Sequence, residues 1–192
     1  RYADPQPADR TALNEAYANV MRTAWTTYPK DADVGALFVE SLANLRPWDL
    51  WLPDGRPQSG TEELVDAVTA VLAIDPLHPF ANHLMIHAVE ASPHPERADR
   101  AADTLRDRQP ALGHMVHMPS HVDVRRGRWQ EAIDANTKAM AADRRYTARS
   151  PKQGFYRLYM AHNHHMLTYA AMMTGQSALA LRTIREMVAD IP

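Results

Sequence analysis

Pro76 and Pro110 stand 34 residues apart, and so do Ala98 in "PERADRAADTL" and Ala132 in "RWQEAIDANTKAM". A third copy follows at a spacing of 48, a 14-residue insertion on the same period, which pairs Gly127 with Gly175 and Ala132 with Ala180 in "GQSALALRTI". A fixed period of this length means that each copy is one supersecondary unit and that its core closes only against its neighbours. The pattern inside each copy is helical. Leu64, Val65, Val68, Val71 and Leu72 form an i, i+3/i+4 stripe, with Thr61 as the expected cap, Glu62 and Glu63 in the first turn, and Asp75–Pro76 as the stop.

The same reading predicts helices near 8–28, 31–45, 61–75, 79–92, 95–108, 112–126, 128–146, 154–174 and 177–190, with no strand pattern. Most connections are short and carry Pro or Gly. Two are longer: "RPWDLWLPDGRPQSG" at 46–60 and "RRYTARSPKQG" at 144–154. The expectation is an all-α chain forming a single domain over 1–192. The chain opens at Arg1 without methionine, which suggests a piece of a longer protein.

"GRWQEAIDANTKAMAAD" and "TEELVDAVTAVLAIDP" resemble the glycine turn, second helix and closing proline of the tetratricopeptide repeat (TPR) family. The likeness is clearest over 61–192 and weaker before, where the 46–60 loop breaks the spacing. It implies a right-handed superhelical solenoid of about nine helices in antiparallel pairs, with the first helix of each pair lining a concave groove. Some uncharacterised bacterial TPR-containing proteins are similar in carrying histidine-rich first helices. TPR arrays mostly bind other proteins, so the resemblance implies a protein partner rather than a reaction.

Composition excludes more than it selects. With no cysteine there is no disulfide, thiolate nucleophile or cysteine-held metal. A formal charge of −2 gives no global field for nucleic acid, and no apolar run approaches a membrane span. No signal peptide or phosphate-binding loop stands out. The basic groups at Arg125, Arg126 and Arg128 and at Arg144, Arg145 and Arg149 read as solvated faces or loops.

Histidine departs from this ordinary picture. All 10 histidines lie between His78 and His165. In the repeat register, which uses no histidine as an anchor, the first helices of three consecutive repeats are 79–92, 112–126 and 154–174. His83, His117 and His165 share one repeat position. Three residues earlier stand Phe80, His114 and His162, and four residues later His87, His121 and Tyr169. Offsets of three and four put all three rows on one face of each helix. Histidine thus fills seven of nine cells.

Packed neutral imidazoles each need a donor and an acceptor, and protonated ones repel. A metal resolves both problems, since neutral imidazole is the commonest metal ligand. His83, His87, His114, His117, His121, His162 and His165 are therefore the predicted ligands. Seven exceed one closed site, so a binuclear arrangement is expected, with His83, His87 and His121 on one ion, His114, His162 and His165 on the other, and His117 between them or shared. Glu90, seven residues after His83, is a candidate ligand, orienting carboxylate or general base; a solvated glutamate is the plain alternative. Tyr169 is a candidate hydrogen-bond donor or a packing residue.

An all-imidazole set suits copper first and zinc next, with iron less favoured for want of carboxylates. Copper implies an oxidoreductase acting on a small molecule or peptide in the groove. Zinc implies a hydrolase with Glu90 as base. A third reading is a peptide-binding scaffold without chemistry, whose histidines grip acidic segments as they protonate. Of the rest, His164 faces about 100° away from the stripe, and His78 and His94 are expected exposed in proline turns. Met85, Met115, Met118 and Met166 read as core filler. Ser120 reads as a small packing residue, Pro119 as a kink, and Trp48 and Trp51 as caps on the 46–60 loop or a lid.

Overall fold

Helices follow one another because apolar residues recur at helical spacing and Pro, Gly or Asp interrupts them at intervals. The computed structural model describes residues 8–190. Among these it contains α1 (Thr11–Thr27), α2 (Ala32–Ala43), α3 (Thr61–Ile74), α4 (Pro79–Val89), α5 (Asp99–Leu105), α6 (Gly113–His117), α7 (Pro119–Arg126), α8 (Trp129–Arg149), α9 (Arg157–Met173) and α10 (Ser177–Asp190). Short 3₁₀ turns precede α5 and α9. With α6 and α7 taken as one interrupted helix, nine helices result among the described residues. No strand occurs there beyond an isolated Trp51–Pro57 bridge.

The described residues fall into two compact units that divide after Pro93. In the first, α2 packs on α1 and α3, and α3 on α4; short connections make such neighbours antiparallel hairpins. Val39, Val68, Val71, Ile86 and Val89 are fully buried between them. In the second, α8 packs on α6, α7 and α9, and α9 on α10. Ala132, Ile133, Met140, Leu167, Ala170, Ala171 and Ala180 form its core. Ala132 and Ala180, two of the repeat's anchoring alanines, thus sit at helix–helix contacts, where small side chains set a short interaxial distance.

Several local expectations change in three dimensions. Thr61 is not the cap of α3: Gly60 holds that position, and the Thr61 hydroxyl donates to the Leu50 carbonyl at 2.6 Å. The loop expected at 144–154 begins later, because α8 runs on to Arg149. Arg128 is not solvated but joins an ionic network with Asp99, Asp103 and Asp123. The loop at 46–60 is tied to α4 by Trp51, whose indole N–H donates to the Ala88 carbonyl at 2.8 Å and satisfies a group left open near the helix end. Trp48 is 84% exposed.

His78 is buried rather than exposed. Its Nδ1 accepts from the Ala81 N–H at 3.1 Å, and Nε2–H donates to Asp33 at 3.0 Å. It caps α4, with Pro79 at the first helical position where a missing N–H costs nothing. His94 is exposed, as expected.

Candidate metal centre

The second unit brings three of the predicted ligands together. The helix carrying "GHMVHMPSH" divides at Met118–Pro119, since Pro119 has no N–H to continue the ladder. His121 N–H instead donates to the Met118 carbonyl at 3.2 Å, three residues back. His117 ends α6 and His121 lies in α7, yet their rings still meet, with centroids 4.7 Å apart and planes at 82°. His162 reaches in from α9, 4.7 Å from the His117 ring and 5.3 Å from the His121 ring.

The nitrogens converge through Nε2. His117 Nε2 and His121 Nε2 are 2.8 Å apart, and His121 Nε2 and His162 Nε2 are 3.4 Å apart. All three ligand atoms lie within 4.8 Å of one another. Metal–imidazole bonds of about 2.0–2.1 Å place two nitrogens about 2.9 Å apart at a right angle and about 3.3 Å apart at a tetrahedral angle. The observed separations sit next to those two values.

The tautomer of His117 is fixed from behind. Asn136, on α8 and fully buried, donates its amide N–H to the Ala132 carbonyl at 2.8 Å. That turns Oδ1 toward His117, where it accepts from Nδ1–H at 2.7 Å. The Ser120 hydroxyl lies 3.3 Å from the same Nδ1. With its proton on Nδ1, His117 presents a lone pair on Nε2 toward the other two imidazoles, the arrangement that a buried partner gives a ligating histidine. Burial first, and then the neighbouring His121, His162 and His114, hold His117 well below the ordinary imidazole range, against the pull of Asn136. It is neutral at pH 7 and needs no deprotonation to bind a cation. In the metal-free protein the 2.8 Å contact is closed by His121 Nε2–H donating to His117; an ion there requires His121 to carry its proton on Nδ1 instead.

The start of α6 is held by a close backbone approach. A Cβ on Gly113 would fall within the Asp143 carboxylate, 2.7 Å from Cγ. Asp143 is itself buried and accepts from the Asn163 amide at 2.7 Å and the Tyr156 hydroxyl at 3.1 Å. Burial pushes Asp143 up, and burial beside Asp143 pushes the Tyr156 phenol up to about 12. This contact fixes α6 against α8 and α9, the helices that carry Asn136 and His162. At the other end Asp123 anchors α7: it is buried and takes two hydrogen bonds from Arg106, at 2.8 and 2.7 Å.

The remaining predicted residues are placed as follows. His114 lies one turn before His117, its ring 6.0 Å away and edge-on to Tyr159 at 4.7 Å. His165 is exposed, 6.3 Å from the His162 ring. Tyr169 is exposed and packs its edge on Trp129 at 5.9 Å. His164, set aside at the sequence level, points into the core and donates Nδ1–H to the Met160 carbonyl at 2.9 Å. In the first unit, His83 and His87 have ring centroids 4.8 Å apart, and His87 Nδ1 lies 2.8 Å from Glu90 Oε1. The grouping differs from the expected split, because His121 and His162, assigned to different ions, are neighbours. Asn136 was missed altogether. Its signal was a polar residue among Ala132, Ala135 and Ala139 on a buried helix face, which needs a partner.

No family model matches the sequence, and no curated protein matches it either. Among solved structures, the chain is similar to the crystal structure of MamA, a TPR-containing protein, with a TM-score of 0.65 over 90% of this chain and 85% of that one. Identity is 10%, so the likeness shows the fold alone. That fold is a TPR-like helical solenoid.

Proposed function

We propose that this protein binds a transition-metal ion through His117, His121 and His162 and uses a TPR-like solenoid as the scaffold. The observation that supports the reading is the convergence of three Nε2 atoms, two of them 2.8 and 3.4 Å from the third, behind a His117 whose proton is held on Nδ1 by Asn136. Three neutral imidazoles leave coordination positions open, as catalytic sites do and closed structural sites do not. An all-imidazole donor set suits copper first and zinc next. Copper at such a site supplies redox chemistry. The chain's own part is to fix the tautomer, hold the ligands from α6, α7 and α9, and keep His117 shielded from water. A copper-dependent oxidoreductase is the activity this arrangement fits best.

The test is elemental analysis of protein purified without a histidine tag, followed by electron paramagnetic resonance after Cu²⁺ loading. The expected result is copper bound with nitrogen hyperfine structure, reduced by one equivalent in His121→Gln and unchanged in His165→Ala. Zinc alone, both as isolated and in competition, would replace oxidation by hydrolysis. No uptake of either metal by folded protein would overturn the reading and leave a histidine-lined surface for peptides.

A further inference from the structure

The pair His117–His121 has a counterpart one repeat earlier. His83 and His87 stand 34 residues before them, with the same i, i+4 spacing. Their ring centroids are 4.8 Å apart, against 4.7 Å for the later pair. Both lie in the half-buried class, so neither is locked away from solvent. Two histidines at i and i+4 on one helical face form a clamp that a divalent transition metal can bridge.

One kind of support for the later pair has a counterpart here, on the second histidine rather than the first. His117 is held through Nδ1 by the Asn136 oxygen; His87 is held through Nδ1 by Glu90 Oε1 at 2.8 Å, from the next turn of the same stretch. A carboxylate on Nδ1 keeps the proton on that nitrogen and aims the Nε2 lone pair outward. Glu90 and His87 are both largely shielded, with side-chain exposures of 21% and 26%, so the contact is less screened than a surface pair. Phe80 packs against His83 in a T-shaped contact at 5.8 Å. The end of α4 is steadied by the Trp51 indole on the Ala88 carbonyl, one residue from His87.

We infer that His83 and His87 form a second metal site, with Glu90 as its positioning carboxylate, taking a divalent ion of the imidazole-preferring class such as Cu²⁺. This goes beyond the three-histidine centre and does not depend on it. Two imidazoles would hold the ion more weakly than the three of the other centre.

The experiment titrates Cu²⁺ into tag-free protein and into His87→Gln, His83→Gln, Glu90→Gln and His121→Gln, each checked for folding by circular dichroism; His121→Gln breaks the i, i+4 pair of the three-histidine centre. Wild type is expected to take two equivalents. His87→Gln and His83→Gln are each expected to take one, and His121→Gln to keep one. Combining His121→Gln with His87→Gln is expected to remove both. Glu90→Gln is expected to leave two equivalents but to weaken one of them about 10–100-fold, a change that a merely structural glutamate would not produce in a folded variant. Wild-type stoichiometry in both His83→Gln and His87→Gln would overturn the second site and leave the first standing. Loss in His87→Gln with no loss in His121→Gln would do the reverse.

Discussion

Replacing Asn136 by alanine tests the centre without touching a ligand. Asn136 Oδ1 is 2.7 Å from His117 Nδ1, and both residues have zero exposure, so no bulk water replaces the lost acceptor. The nearest substitute is the Ser120 hydroxyl at 3.3 Å. Two consequences follow. The orphaned Nδ1–H costs the metal-free fold about 1–3 kcal/mol, with a further contribution from the small cavity. The proton on His117 is also no longer fixed on Nδ1, and loss of such an orienting partner weakens metal binding about 10–100-fold, or about 1.4–2.8 kcal/mol. Asn136→Asp keeps an acceptor for the His117 Nδ1–H but sets its second oxygen against the Ala132 carbonyl, so it is expected to orient His117 at a cost in fold stability. The assay is Cu²⁺ competition against a chromophoric chelator, run beside urea unfolding of the same samples. A folded Asn136→Ala protein whose affinity stays within about threefold of wild type would refute the tautomer argument.

Three further outcomes are expected. Asp123→Ala removes both short hydrogen bonds to Arg106 and leaves its guanidinium with Asp103 alone, at 3.1 Å; urea unfolding should show a loss of about 1–3 kcal/mol. Gly113→Ala drives a Cβ into the Asp143 carboxylate and should lower the melting temperature by several degrees, in keeping with the about 1–3 kcal/mol of an overpacked site. In metal-free protein, His117 resists protonation in the native state and accepts a proton near 6.5 once unfolded. The unfolded chain therefore binds more protons below that pH. Stability should fall as pH drops below about 6.5, by at most about 1.4 kcal/mol per unit from this group, and this group should contribute no slope above it. Burial raises Asp123 and Asp143 and works in the opposite direction above 3.8, so a comparison of pH profiles with His117→Gln isolates the histidine.

Much of this architecture could be read from residue spacing. The repeat anchors Ala98, Ala132 and Ala180 are all buried, because a period in small residues is a direct record of where helices touch. The helical stripe likewise brought His117, His121 and His162 onto faces that can meet. Spacing along a helix gives direction but not depth, however. It could not show that His117 is buried while His165, at the equivalent repeat position, is exposed. Nor could it pair His117 with Asn136, since that contact joins two helices across 19 residues. His78 misled for a different reason. A histidine before proline reads as a turn, and nothing local shows that its ring folds back to accept from Ala81 or that Asp33 waits 45 residues away.

The three converging histidines, the amide that orients His117 and the glycine contact that seats α6 all lie between Gly113 and Asn163. The centre is therefore an almost self-contained cassette, one interrupted helix, its hairpin partner and the helix after it. In a scaffold that grows by adding repeats at either end, a cassette of this kind can be carried along, lengthened around or grafted into another array. The arrangement of the three imidazoles would travel with it, while the flanking repeats remain free to change what reaches them.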